Sequence, residues 1–429
     1  MSMTLVALLG VLCLFLLILL KMPISFAMFM VGFFGMLYMT SPIAAYNVIS
    51  SGIWEQLSGY SLSVIPLFIF MGELLFRSGI TEKIFAAAYA WIGHFRGSMA
   101  TTTILSSAGF AAVSGSNTAT AATVGTIALP EMKKFGYSRA LSAGSVAAGG
   151  TLGVIIPPSS VLIVIALQAE LAIRDLFLAS IVPGLILVVL FIATIGLLCR
   201  RRPEMGPAGV RSSWSVRWRS LKGIIEIGAL FTLVLGGLFA GWFTSTEAAA
   251  VGCIGAMLIT LIQGKLSWSV LTEAIANALK SSAMILMLVA GAVIFGRFLT
   301  ITRLPYMVGE WAAALPLPAI MVMACILLIY VIGGALMDAM GFLIISIPIF
   351  FPVALVLGYD PIWFGVVVCI VTSMGAITPP VGVNAFIVKS LDAELRMGET
   401  FRGVGYFIFP YLLCIALLLV LPQIVLFVL

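Results

Sequence analysis

Charge is scarce in this chain. Lys and Arg number 22 and Asp and Glu 16 among 429 residues, 9% in all, while 62% are hydrophobic. A soluble domain carries roughly 25% charged residues, so a water-soluble surface is excluded. Histidine occurs once, at His94. One imidazole builds neither a multi-histidine zinc site nor a His-based triad, which leaves hydrolytic and metal chemistry almost no raw material. The six cysteines, Cys13, Cys199, Cys253, Cys325, Cys369 and Cys414, stand singly in apolar runs without a C-x-x-C pair. They read as small packing residues. What the chain does have is long apolar runs, with room for about ten spans of ~20 residues. That makes it an all-α polytopic membrane protein. The first run, Leu5 to Leu20, leads into Lys21-Met22-Pro23 rather than a small-residue cleavage site, so it reads as a retained transmembrane helix.

The chain also repeats itself. Gly153-Val154-Ile155-Ile156-Pro157-Pro158 returns 222 positions later as Gly375-Ala376-Ile377-Thr378-Pro379-Pro380. Pro130 matches Pro352 and Gly136-Tyr137 matches Gly358-Tyr359 at the same spacing, while Gly32 and Gly35 match Gly252 and Gly255 at 220. A Gly/Pro-broken apolar segment at corresponding places in two halves points to a transporter binding site.

Hydropathy predicts helices near 4–20, 24–40 and 61–76, an amphipathic stretch at 81–95, and a helix at 177–199. Between them lie a hairpin, 98–130, centred on Ser114-Gly115-Ser116-Asn117-Thr118, and a broken helix, 139–168. After the basic linker 200–222 come helices near 223–241, 245–262 and 281–300, with amphipathic pieces at 268–279 and 304–314. A hairpin at 317–358, a broken helix at 361–388 and a last helix at 405–428 follow. Each arm of a hairpin is too short for a full span, so the hairpin is re-entrant, with its tip enclosed by protein or a water-filled cavity. Each half, 1–199 and 223–429, then has five full spans. An odd number inverts the second half relative to the first, the inverted-repeat plan.

The charges agree. With the 200–222 linker cytoplasmic, every Lys and Arg except Arg174, Arg297 and Arg303 falls inside, whereas the acidic residues divide almost evenly. A Lys/Arg bias without an Asp/Glu bias is the positive-inside pattern, and it places both termini outside. Topology and anionic headgroups explain the basic linker better than nucleic acid does.

Proline removes the helical partner of the carbonyl four residues earlier. Pro157 and Pro158 are expected to free the carbonyls of Gly153 and Val154, and Pro379 and Pro380 those of Gly375 and Ala376. Such carbonyls need partners inside a membrane, and Na⁺ suits a set of neutral oxygens better than Ca²⁺ does. Ser114 and Ser116 would add hydroxyls at the first break, Thr372 and Thr378 at the second. Half-helices beginning near Asn117, Ser159 and Val381 direct positive dipole ends inward, toward an anion. Asn117 and Thr118 offer hydrogen bonds, and Asp338 is the sole carboxylate in a hairpin tip. An intramembrane carboxylate is a functional candidate, for Na⁺, substrate or a proton, beside its alternative role as a helix cap. Substrate-binding candidates are thus Asn117, Thr118, Asp338, Ser159 and Thr372. Arg297 reads as a snorkelling residue at a helix end before a ligand for a substrate carboxylate, Thr244 and Glu247 as a capping arrangement, and Glu73 as an i,i+4 partner of Arg77 before a residue facing a cytoplasmic vestibule.

Ser114-Gly115-Ser116-Asn117, the two G-x-I-x-P-P breaks, Thr246-Glu247-Ala248-Ala249-Ala250-Val251-Gly252 and Pro66-Leu67-Phe68 together resemble the large membrane (M, DctM-like) subunit of tripartite ATP-independent periplasmic (TRAP) transporters, over essentially the whole chain. The resemblance implies an elevator mechanism, with the hairpins and broken helices sliding against a scaffold of the remaining helices. It implies Na⁺-coupled uptake of an organic acid, such as a C4-dicarboxylate or sialic acid, across the bacterial inner membrane. It further implies a separate small four-helix (Q, DctQ-like) membrane subunit and a soluble periplasmic substrate-binding protein (P). Carried onto this chain, one Na⁺ site would use Ser114, Ser116, Gly153, Ile156 and Pro158, and a second Gly334, Gly375, Thr378 and Pro380. The rivals are a stand-alone organic anion:Na⁺ symporter and a membrane enzyme acting on a lipid-linked substrate. The enzyme would need a convergent Asp/Glu/His cluster that the sequence does not supply.

Overall fold

The computed structural model describes residues 2–429, and among them every regular element is helical. The first half comprises α1 (Met3–Leu19), α2 (Ile24–Met39), α3 (Pro42–Leu57), α4 (Val64–Arg77), α5 (Ile80–Ile92), α6 (Ser98–Ser114), α7 (Asn117–Lys134), α8 (Arg139–Thr151), α9 (Ser160–Gln168) and α10 (Ile173–Arg201). The second comprises α11 (Trp214–Phe239), α12 (Ser245–Ile262), α13 (Trp268–Ile301), α14 (Leu304–Ala314), α15 (Ala319–Leu336), α16 (Ala339–Val356), α17 (Pro361–Gly375), α18 (Val383–Leu391), α19 (Met397–Val420) and α20 (Gln423–Leu426). Among the described residues eight helical segments are long and apolar enough to cross a membrane, and two of them are the arms of the second hairpin, α15 and α16, which at 18 residues each are longer than the sequence reading allowed. In hydrocarbon, a helix satisfies its own backbone, and only its ends need outside partners. Short polar residues fill that need: Ser41, Ser116, Ser138, Ser159, Ser213 and Ser267 each cap the helix that follows. Thr244 and Glu247 form the reciprocal capping box expected from sequence.

Several boundaries differ from the sequence reading, the last helix among them, which runs Met397–Val420 rather than 405–428. The pieces 268–279 and 281–300 are one 34-residue helix, α13, because no glycine or proline interrupts the chain between Ser267 and Gly291. In the first half, the corresponding stretch is divided at Ser58-Gly59 into α3 and α4. Helix α3 escaped the hydropathy reading because Asn47, Ser50, Ser51 and Gln56 dilute its apolar content, although Ser41-Pro42 is a helix-start signal. The linker is shorter than 200–222, since α10 runs to Arg201 and α11 starts at Trp214. It is also tied down. Gly97 and Ser138 donate backbone hydrogen bonds to Gly206 (2.9 Å) and Met205 (3.0 Å), and Gly209 donates to Gly93 (2.9 Å). The Tyr137 hydroxyl donates to Pro207 (2.8 Å). Burial pushes this phenol above its ordinary value, so it stays a donor.

The helices pack as two bodies. In one, α2 lies along α13, α12 along α4, and α11 along α12. Glycines set these crossings: a Cβ on Gly32 would stand 2.8 Å from the backbone of Ile294, and one on Gly252 2.5 Å from Met71 Sδ. In the other body, hairpin α6–α7 packs on α8 and hairpin α15–α16 on α17. Helices α10 and α19 belong with this second body, which enlarges the unit of hairpins and broken helices implied by resemblance. Helix α19 packs chiefly on α8, where Gly144 and Gly403 meet backbone to backbone, and α10 packs on α19, α6 and α17. Short α5 and α14 straddle the bodies: α5 touches α6 and α11, and α14 touches α16 and α13.

The α8–α19 contact has a direct test. Gly403→Ala would drive a methyl into the Ala140 carbonyl, whereas the same change at Gly405, open within 4 Å, meets nothing. Overpacking of this kind costs about 1–3 kcal/mol. Gly403→Ala is therefore expected to melt several degrees below wild type in detergent, with Gly405→Ala at or above wild type.

Candidate functional site

Two hairpin tips and two helix breaks build the polar interior. At the first tip, α6 ends at Ser114, Gly115 turns the chain with φ 59°, and the Ser116 hydroxyl caps α7 by accepting from the Ala119 N–H at 3.5 Å. Glycine adopts that left-handed conformation without steric cost. At the second tip, Met337 is extended and Asp338 caps α16, accepting from the Met340 N–H at 3.1 Å. The two tips thus differ in charge, one capped by a neutral hydroxyl and the other by a carboxylate.

Each tip is hydrogen-bonded to its own break. Ser160 donates to the Gly115 carbonyl through its N–H (3.3 Å) and its hydroxyl (2.8 Å). Val381 and Gly382 donate their N–H groups to the Ala335 carbonyl, both at 3.3 Å. Both Pro-Pro bonds are cis. Of the four carbonyls that proline was expected to leave bare, three have donors. Val154 accepts from the Ser159 hydroxyl (2.7 Å), Gly375 from the Thr378 N–H (2.8 Å), and Ala376 from the Asn384 N–H (3.0 Å). The chain doubles back past each Pro-Pro pair and brings Ser159 and Asn384 with it, while Thr378 reaches Gly375 within a local turn before the second pair. Only the Gly153 carbonyl has no donor among the described residues.

Neutral oxygens nonetheless gather at both breaks. A Cβ on Gly153 would collide with the Ser116 carbonyl and stand 2.6 Å from Thr120 Oγ1, which is itself 2.6 Å from Ser114 Oγ. At the second break, a Cβ on Gly375 would stand 2.7 Å from the Val331 carbonyl, and one on Gly334 2.5 Å from the Thr372 carbonyl. The Thr378 hydroxyl donates to Met374 at 2.7 Å, leaving its lone pairs available. Ile156 and Pro158 lie at the first break, half-buried and buried, whereas Pro380 is exposed at the second. No group of three or more His, Cys, Asp or Glu occurs among the described residues, so the oxygens that fit an ion here are uncharged. Such a set suits a weakly held monovalent cation.

A cavity of about 370 Å³ lies between the two bodies, where Ser114, Ser116, Thr118 and Ser160 face Asp338 and Glu73. A narrower gap of about 40 Å³ continues inward past Asn117, whose side-chain oxygen is buried without a partner. No Lys, Arg or His lines either space. Two of the proposed substrate ligands lie off it. The Ser159 hydroxyl is committed to Val154, and Thr372, fully buried, donates to Val368 (2.6 Å) beneath Gly334. Sequence reasoning missed Ser160 on the cavity, and buried Asn384, which donates to the Ala147 carbonyl at 3.3 Å. Ser160, next to the Pro-Pro break, was the one with a readable signal. Glu73 lines the cavity and also keeps the expected i,i+4 ion pair with Arg77 at 3.8 Å. Arg77 further bonds Glu273 of α13 at 2.5 Å, and Asn277 donates to Glu73 at 3.3 Å. Contacts across helices that far apart in sequence leave no local trace.

A multi-pass helical protein with two hairpins and two broken helices, in which both hairpin tips and the first break face one cavity, has the build of a transporter permease rather than an enzyme. The chain belongs to the DctM component family of tripartite ATP-independent periplasmic transporters, whose model matches residues 11–424. It is 33% identical over 371 residues to the C4-dicarboxylate TRAP transporter large permease protein DctM of Pseudomonas aeruginosa, covering 86% of this chain and 85% of that one. It is 27% identical over 403 residues to the sialic acid TRAP transporter large permease protein SiaM of Vibrio cholerae, covering 94% and 93%. Its fold is similar to that of the YdaH transporter of Alcanivorax borkumensis, with a TM-score of 0.61 at 16% identity over 88% of each chain.

Cavity and core are distinguishable by labelling. In a chain whose native cysteines are replaced, Thr118→Cys, on the cavity wall, is expected to react with a charged maleimide on the order of tenfold faster or more than buried Thr372→Cys. Equal rates would mean that the cavity is closed or Thr372 open.

Proposed function

We propose that this chain is the translocating subunit of a Na⁺-coupled importer of organic acids, supplied by a periplasmic binding protein. The observation that carries the reading is a pair of hairpin–break units, in register across the sequence, whose two tips and first break face one cavity at the junction of two helical bodies. The relatives' substrates, C4-dicarboxylate and sialic acid, share a carboxylate. At the cavity that group meets the hydroxyls of Ser116 and Thr118 and the N-terminus of α7.

Na⁺ would be held by oxygens of Ser114, Ser116, Gly153, Ile156 and Pro158 at the first break, and of Gly334, Gly375, Thr378 and Pro380 at the second. Bound there, it supplies positive charge that draws tip and break oxygens together. The matching order of elements in the two halves supports an inverted repeat. The cavity between bodies supports an elevator in which the hairpins, broken helices, α10 and α19 move against α1–α4 and α11–α13. Lys and Arg placement supports an inner-membrane orientation with both termini periplasmic and the linker cytoplasmic. Exposed apolar surface on α3, with Trp54 at 76% and Tyr46 at 69%, supports a small membrane subunit packed on the scaffold.

The test is uptake of a labelled organic acid into proteoliposomes holding the chain and its small subunit. Uptake is expected to require an inward Na⁺ gradient and added binding protein. Uptake that ignores the binding protein would mark a stand-alone symporter, and uptake without Na⁺ would remove the coupling. Thr378→Ala is expected to weaken Na⁺ dependence severalfold, while Ser390→Ala, beyond the second break, leaves it unchanged.

A further inference from the structure

Where α5 ends and α11 begins, two buried N–H donors have nothing to bond. Arg217 is 6% exposed and its Nε is unpartnered, and the nearby Trp91 Nε1 is buried without an acceptor. The two residues share one cluster. The Trp91 ring stands edge-on to Trp214 (6.3 Å) and Trp218 (5.6 Å), and the Arg217 guanidinium lies 4.9 Å from the Trp214 ring. Arg217 Nη2 is 3.5 Å from His94 Nδ1. No carboxylate pairs with Arg217.

A buried guanidinium without a counter-charge and two orphan donors require an acceptor, and a negatively charged one fits best. The rest of the patch says where that acceptor comes from. Trp214 and Trp218 are each 60% exposed, the disposition of aromatic rings at a membrane–water boundary. Arg211, Arg219 and Lys222 lie on the same stretch of chain and are all exposed. Amphipathic rings beside clustered cations match a lipid surface carrying negative headgroups. A soluble anion would have no use for the two exposed indoles.

We propose that the α5–α11 junction binds the phosphate of an anionic phospholipid, with Trp91 Nε1 and the Arg217 guanidinium as donors and Trp214 and Trp218 seated among neighbouring lipids. The lipid ties the first helix of the second half to α5, so it stabilises the scaffold without touching the transport cavity.

The experiment is a melting curve of the purified full-length chain in detergent, with dispersed phosphatidylglycerol, phosphatidylcholine or inorganic phosphate. Phosphatidylglycerol is expected to raise the melting temperature by roughly 3 °C or more, less at high salt, and phosphatidylcholine to leave it unchanged. Trp91→Phe, which removes only the N–H and keeps the ring, and Arg217→Met should each abolish most of the shift. Trp311→Phe, on exposed α14 surface, should keep it. If Arg217→Met does not fold, Trp91→Phe decides. Equal shifts from both lipids, or an undiminished shift in Trp91→Phe, would overturn the proposal. So would an equal shift from inorganic phosphate, which would identify a soluble-anion site. Loss of the shift on adding the small membrane subunit would likewise assign the donors to an acidic group of that partner.

Discussion

A backbone N–H or C=O left bare in hydrocarbon costs several kcal/mol, and the architecture follows from that constraint. Ordinary spans meet it by being helical. The two broken helices and two hairpin tips cannot meet it alone, and they solve it pairwise. The Gly115 carbonyl at one tip takes both donors of Ser160, and the Ala335 carbonyl at the other takes the N–H groups of Val381 and Gly382. Tip and break are therefore one structural unit in each half. The oxygen-rich cradles and the cavity are what remains where two such units face one another.

That logic also marks how much was legible in the sequence. Hairpins and breaks were readable because Gly153 to Pro158 and Gly375 to Pro380 are strong local signals, and their recurrence 222 positions apart removed the ambiguity of either alone. Which carbonyls stay bare was not readable. The donors that reach Val154 and Ala376 depend on how the chain turns after each proline pair, Gly375 takes the Thr378 N–H from the turn before one, and Pro-Pro spacing encodes neither. The same holds at the cavity. Ser116 and Thr118 sit in the tip motif and were found, whereas Glu73 arrives from α4 through tertiary packing. Helix α3 was missed for another reason: hydropathy recognises spans, and α3 is a capped amphipathic helix.

The cavity's electrostatics set a trade-off. Its wall offers hydroxyls and the neutral-capped end of α7, but it also carries Asp338 and Glu73 and no cationic side chain. An anion entering this space gains directional hydrogen bonds rather than ion pairs. Neutral donors hold a charged solute firmly enough to orient it and weakly enough to release it. A buried arginine would impose a deeper well and a larger desolvation cost on return.

The linker between the halves has a mechanical meaning. Met205, Gly206 and Pro207 are bonded to the two ends of hairpin α6–α7, and Gly209 is bonded to the end of α5. Only Ala208 separates those anchorages, and two residue steps of fully extended chain reach roughly 7 Å. Any stroke of the hairpin body past α5 that exceeds this leash must first unzip one of the anchorages or carry α5 along. The short polar stretch that looks like a passive connection thus fixes the hairpin to α5.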